Sequence, residues 1–132
     1  MGVKIRGLDE LIRDLQRVEP EGEKRWPKVV SRGAVNIKTA WRKRWKDISP
    51  DPGRHAPHLA RGVGYDTHST KTRHTAVIGV SPLNPQAPLA FFAEYGSVRN
   101  APYPGGLPSL LEEEPRFLDA VADLAVELLE GR

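Results

Sequence analysis

The sequence predicts a single α+β domain in which a small antiparallel sheet packs against a long central helix and a C-terminal helix. Three observations predict this class. Apolar residues recur at helical spacing over residues 23–46 and over residues 117–128, while residues 75–80 (TAVIGV) have the β-branched composition of a strand. A length of 132 residues is typical of one domain, so residues 1–132 are assigned to one unit.

The composition rules out several kinds of site. The chain contains no cysteine, so a disulfide framework, a thiolate zinc site and a cysteine nucleophile are excluded. No apolar run approaches the ~20 residues of a membrane-spanning helix, and no signal-peptide core follows Met1. We therefore expect a soluble, non-secreted protein that has no membrane partner.

The charge is distributed unevenly along the chain. Residues 24–46 contain nine basic residues and no acidic one, whereas residues 107–132 contain seven acidic residues against Arg116 and Arg132. Such a division favours either a nearby polyanion or head-to-tail pairing of copies. Two solvated helix faces would give the same pattern, and the residues alone leave these alternatives open.

The first half of the chain predicts a strand and two helices. Residues 3–6 alternate apolar and charged as a short strand ending at Gly7, and residues 8–18 follow helical spacing until Glu19 and Pro20 stop the helix. Pro27 is tolerated only in a first turn, so the second helix should begin near Glu23 and run to Lys46. Its three tryptophans share one buried face.

The opposite face of this second helix is basic. Its members are Lys28, Arg32, Arg42, Lys43 and Lys46. Because a row of lysines and arginines neutralises phosphates without reading bases, this face is the best candidate for contact with nucleic acid.

The second half predicts a hairpin and one more helix. Residues 49–57 form a proline-rich loop, residues 63–65 a strand, residues 67–73 a polar tip and residues 75–80 the returning strand. The last helix has Pro115 in its first turn and ends at Gly131. The glycines at 105 and 106 are interpreted as flexible.

Residues 88–104 (PLAFFAEYGSVRNAPYP) are the most distinctive stretch. Phe91, Phe92 and Tyr95 surround the single carboxylate of Glu94, and we expect these aromatics to dock on the sheet and the long helix. A half-buried carboxylate needs backbone N–H groups or an arginine as its partner. Two interpretations of Glu94 stay open, namely exposure to solvent and pairing with a basic residue of a neighbouring copy.

Catalysis has little support in the sequence. Asp66, His68, His74 and Glu94 could gather as a nuclease site, but no spacing forces them together, and three of the four flank the hairpin tip. His55 and His58 lack further metal ligands at fixed spacing. We therefore expect no enzyme activity, no cofactor and no metal site.

The order of these segments resembles the small tail-completion or minor tail proteins of long-tailed phages, which form the head–tail connector, or neck. Residues 3–11 (VKIRGLDEL) resemble the family's opening, and residues 23–46 its long helix. The aromatic–Glu–aromatic–Gly–Ser run at residues 91–97, followed by the turn at residues 101–104, resembles its most recognisable motif. The chain departs from the family at residues 57–62, which lack the usual Thr-Gly pair, and at residues 104–108.

The resemblance implies a non-enzymatic virion protein that assembles as a ring of identical copies, sixfold like the tail, although the head-side connector is twelvefold. Its axial neighbours would be a connector or stopper protein on the head side and a tail terminator or tail tube protein on the tail side. The chain would lie in the virion neck, and in the host cytoplasm during assembly. Its subunit interface would contain Phe91, Phe92, Glu94, Tyr95, Gly96, Pro102 and Pro104. The basic face would line the lumen and contact double-stranded DNA. A tail terminator that caps the tube and a small non-specific nucleic-acid-binding protein remain the alternatives.

Overall fold

The computed structural model describes residues 6–46, 59–85, 87–96 and 102–131, with side chains from Pro20 onward within those ranges. The elements, in chain order, are helix α1 (Arg6–Lys46), a 3-10 turn (Ala60–Gly62), strands β1 (Val63–Ser69) and β2 (His74–Val80), and helices α2 (Ala87–Tyr95) and α3 (Gly106–Glu130). The α+β class is confirmed. Pro115 lies inside α3 and not in its first turn as predicted, because the helix already begins at Gly106. The predicted loop at 49–57 and both His55 and His58 lie outside the described residues.

Helix α1 is one continuous element, which corrects three predictions. Its 41 residues extend ~60 Å and pass through both Pro20 and Pro27, so the predicted break at Pro20 and the new start near Glu23 are wrong. Arg6 and Gly7 already belong to the helix, which contradicts the end of the predicted strand over residues 3–6. The rest of that strand lies outside the described residues.

Packing against α3 explains why α1 continues through Pro27. The two helices run antiparallel, and their contacts fall on both sides of the proline: a Cβ at Gly22 would lie 3.7 Å from Leu128 Cδ1, and one at Gly33 would lie 2.9 Å from Phe117 Cδ2. An internal proline costs a helix ~3 kcal/mol through its missing N–H and its ring. Burial against a 25-residue partner helix offsets that cost.

The core lies where α1, the hairpin and α2 meet. Trp45, Leu59 and Val63 are buried, and Ile78 and Val80 of β2 pack against them. Trp41 meets Trp45 edge to face, with ring centroids 5.3 Å apart. The predicted buried tryptophan face is therefore only partly present: Trp45 is buried, whereas Trp26 and Trp41 are half-buried.

The hairpin is longer and its tip shorter than predicted. Val63 pairs with Val80, and the register continues to Ser69 opposite His74, so residues 67–69 belong to β1 and not to the tip. The tip comprises residues 70–73, where the Thr70 N–H donates to Arg73 O at 2.7 Å. This two-stranded sheet is the only one among the described residues.

Candidate interaction surfaces

Glu94 binds the N-terminus of α3 in its own chain. Its Oε2 accepts the Gly105 N–H at 2.8 Å, both carboxylate oxygens accept the Gly106 N–H at 3.1 Å, and Oε1 accepts the Leu107 N–H at 3.2 Å. The first N–H groups of a helix have no intrahelical partner, and the helix dipole favours an anion there. Gly105, at the N-cap position, offers no side chain for this purpose, so Glu94 supplies the missing cap from α2.

This contact bears on one of the two interpretations of Glu94 that the sequence left open. The carboxylate does not point freely to solvent, whereas its pairing with a basic residue of a neighbouring copy stays a prediction. Its partners are backbone N–H groups, one of the two partner types that a half-buried carboxylate needs. Glu94 therefore acts first as an intramolecular clamp between α2 and α3.

The turn before α3 is held from two sides. The Tyr103 N–H donates to Ala93 O at 2.6 Å, and Trp45 Nε1 donates to Tyr103 O at 3.1 Å. A Cβ on Gly105 would lie 2.5 Å from Trp41 Cδ1 and 2.6 Å from Trp45 Nε1. The glycine is thus required for close approach to the tryptophans, which corrects the interpretation of this position as flexible.

The aromatic surface, defined as Phe91, Phe92 and Tyr95, faces outward from α2. The three side chains are 60%, 50% and 70% exposed, and the Phe91 ring centroid lies 5.1 Å from that of Tyr95. The small residues Ala90 and Ala93 pack against the core instead. The expectation that the aromatics dock on the sheet is therefore wrong, whereas their assignment to a subunit interface stays a prediction.

The remaining interface candidates border this surface. Gly96 ends α2 with a φ of 79°, and its N–H donates to Phe92 O at 2.7 Å. Pro102 and Pro104 are exposed in the turn before α3. These residues therefore lie close to the aromatic surface along the chain, at the two ends of the segment 96–104.

The basic ridge, defined as Lys28, Arg32, Lys43 and Lys46, follows one exposed side of α1. It extends ~27 Å from Lys28 to Lys46 at the helical rise of ~1.5 Å per residue. No acidic partner is bound to these four side chains within the described part of the chain. They are free to contact an anion.

Arg42, predicted to belong to the same basic face, has a structural contact. Its Nε donates to Val63 O at 2.8 Å, and its NH2 group donates to Arg61 O at 3.3 Å. The guanidinium thereby holds the start of β1 against α1. Its assignment as a DNA-facing residue is less favoured than that of the ridge, because two of its three guanidinium nitrogens already donate to backbone acceptors of the same chain.

The acidic helix α3 pairs with the basic helix α1 of the same chain. Arg44 binds Glu112 at 2.6 Å, and Arg25 forms a short contact with Glu127 at the other end of the helix pair. The charge division in the sequence is therefore partly satisfied within one copy. Asp119 and Asp123 remain exposed on α3.

Sequence reasoning missed Glu113, which is 3% exposed between the two long helices. Asn36 Nδ2 donates to its Oε1 at 3.0 Å, and the Arg116 guanidinium lies 2.7 Å from its Oε2. Helical spacing could have identified Glu113 as buried, because it lies four residues before Phe117 and so falls on the buried stripe of α3. Its position between two other glutamates favoured an exposed acidic face instead.

The residues considered for catalysis are dispersed. Asp66 and His68 are exposed on β1, His74 lies on β2, and Glu94 binds α3. Among the described residues, no group of three or more histidine or carboxylate side chains could hold a metal ion. Nor does any described helix combine the length and the apolarity needed to cross a bilayer.

Comparisons with protein-family models, with curated proteins and with solved structures gave no match to this chain. The resemblance to phage neck proteins therefore depends on the order of the motifs in the sequence alone.

Proposed function

We propose that this chain is a structural protein of the neck of a long-tailed phage, where a ring of identical copies joins the DNA-filled head to the tail. The observation that carries the proposal is the aromatic surface on α2. Three large aromatic side chains are exposed together while the carboxylate between them is bound inside the chain. Aromatic residues exposed as a group are typical of contacts between polypeptides.

In this proposal the aromatic surface of one copy contacts a different surface of the next copy, as a closed ring requires. The ring is sixfold, with a connector or stopper protein on the head side and a tail terminator or tail tube protein on the tail side. The protein performs no reaction and needs no cofactor. It acts in the virion neck after assembly in the host cytoplasm.

The basic ridge has a role in the same proposal. Lined up around a lumen, these side chains would contact passing DNA through its phosphates, without sequence preference. Reversal of Lys43 and Lys46 to glutamate should weaken DNA binding and flatten its dependence on salt. The measurement is affinity for duplex DNA over a range of salt concentrations. An unchanged affinity would remove the ridge from the proposal.

The ring is tested with the double variant Phe91→Ala/Tyr95→Ala. Neither side chain supports the core, so the variant should fold like the wild type but fail to form rings or to join isolated heads to tails. Leu83→Ala is the matched control, because Leu83 is 93% exposed and lies outside the aromatic surface. Light scattering gives the mass, and electron microscopy counts joined particles. Normal joining by the double variant would overturn the proposal.

A second candidate, a stand-alone nucleic-acid-binding protein, is favoured by the unpaired basic ridge alone. It predicts a monomer or dimer whose DNA affinity falls steeply with added salt and does not depend on Phe91 or Tyr95. A tail terminator would form a ring and bind the open end of a tail tube but not a head connector. Binding to purified heads and tail tubes separates these possibilities.

A further inference from the structure

Strand β2 has one edge paired with β1 and a second edge without a backbone partner among the described residues. The register shows which groups lie at that edge. Because the Thr70 N–H bonds to Arg73 O, hydrogen-bonded and non-hydrogen-bonded pairs alternate from there along the hairpin. His74, Ala76, Ile78 and Val80 therefore direct their N–H and C=O groups away from β1. The same alternation makes Val63 O point outward on β1, as its bond to Arg42 shows.

The two outer edges of the hairpin differ. On β1, Val63 O already accepts a hydrogen bond from Arg42, and the strand contains the charged residue Asp66. On β2, the sequence HTAVIGV contains neither a proline nor a lysine, arginine or carboxylate. Edge strands of monomeric proteins usually have such residues, which discourage pairing with another chain. The edge of β2 lacks this protection.

We propose that β2 pairs antiparallel with β2 of a second copy, about a twofold axis at Val77. In this register Ala76 lies opposite Ile78 of the second copy, and His74 lies opposite Val80. All the outward N–H and C=O groups of one strand then meet acceptors and donors of the other. The hairpins of the two copies together make one four-stranded sheet.

Val77 supports this register. Its side chain is 73% exposed, which is unusual for a valine at the centre of a strand. On the twofold axis it would lie opposite Val77 of the second copy in a non-hydrogen-bonded pair, where side chains approach most closely. The pairing thus covers the most exposed apolar residue of the sheet.

A second copy fits this edge because the strand is complementary to itself. The alternative of pairing β2 with β1 of the next copy would bring it against the edge that Arg42 and Asp66 obstruct. A twofold contact closes after two copies and builds no ring by itself. The inference therefore goes beyond the proposed ring and does not depend on it.

The test compares two proline variants of the full chain. Ala76→Pro removes an outward N–H from β2, and Thr67→Pro removes an outward N–H from β1, so both leave the β1–β2 ladder intact. Both changes are made in the Phe91→Ala/Tyr95→Ala background, which should form no rings. There we expect the parent and Thr67→Pro to have a solution mass of about twice 14.7 kDa, and Ala76→Pro to have the monomer mass. Circular dichroism checks that each variant is folded.

Two further measurements keep the test decisive if a proline variant unfolds. Val77→Lys would place like charges opposite each other and should give monomers, while Val77→Thr should stay dimeric. In hydrogen exchange, the Ala76 and Ile78 amides of the wild type should become protected as concentration rises, and those of Tyr65 and Thr67 should not.

In the Phe91→Ala/Tyr95→Ala background, a monomeric parent, or equal association of the parent and Ala76→Pro, would overturn the inference. Equal loss of association in both proline variants would indicate pairing of β2 with β1 of a neighbour and would also overturn it. The aromatic double variant distinguishes the two proposals, because it should lose rings while it keeps the dimer.

Discussion

Replacement of Glu94 by alanine should destabilise the isolated protein, because the carboxylate caps α3 from another helix. The substitution removes the acceptor of three backbone N–H groups. Loss of an N-cap side chain costs ~0.5–2 kcal/mol, and hydrogen bonds to a charged acceptor contribute ~1.5–3 kcal/mol. Water can reach the exposed Leu107 end and recover part of the loss. We expect the free energy of unfolding to fall by ~2 kcal/mol.

Glu94→Gln refines this prediction. The amide keeps one acceptor oxygen but loses the charge that interacts with the helix dipole, so its cost should be ~1 kcal/mol. For a domain of this size, the alanine variant should lower Tm by ~6 °C and the glutamine variant by about half as much. Urea unfolding followed by far-ultraviolet circular dichroism measures both.

The control is Glu114→Ala. Glu114 is exposed on α3 and has no bound partner in the described part of the chain, so its removal should change the free energy of unfolding by less than ~0.5 kcal/mol. If Glu94→Ala proves as mild as Glu114→Ala, the clamp is not stabilising. Glu94 would then be available to a neighbouring copy, as the sequence allowed.

Two further predictions concern the contact between the tryptophans and the turn before α3. Gly105→Ala should lower the free energy of unfolding by ~1–3 kcal/mol, because its Cβ would meet Trp41 and Trp45. Gly64→Ala is the control and should be neutral or slightly stabilising, since no atom lies within 4 Å of the added Cβ. Thermal unfolding compares them, and similar losses in both would contradict the close-contact argument. Trp45→Ala should cost ~3–5 kcal/mol by leaving a cavity and freeing Tyr103 O, and a cost below ~1 kcal/mol in urea unfolding would exclude Trp45 from the core.

The fold class could be predicted because its signals are local. The β-branched run of β2 and the apolar stripe of α3 each repeat with the period of their own element, and both elements are present. The prolines of α1 could not be interpreted in the same way. A proline inside a helix is a local cost. Whether the helix continues depends on α3, whose contacts with α1 on either side of Pro27, Gly33 with Phe117 and Gly22 with Leu128, join residues 84 and 106 positions apart.

The role of Glu94 was only partly predictable. Its need for a partner follows from its half-buried position among aromatics, but the identity of the partner depends on where the N-terminus of α3 lies in space. Glu113 shows the reverse case. Its spacing from Phe117 places it on the buried stripe of α3. Burial of its charge is tolerated because Asn36 donates a hydrogen bond to the carboxylate and Arg116 forms an ion pair with it.

The orientation of α2 follows from that one carboxylate. Ala90 and Glu94 are four residues apart and share a face of the helix, whereas Phe91 and Tyr95, also four apart, share another. The apolar residues of α2 occur on all sides, so hydrophobicity alone does not choose which side is buried. Once Glu94 binds the N–H groups of α3, Ala90 must face the core and the two aromatics must face outward. The same contact that completes α3 therefore exposes the surface that we propose for assembly.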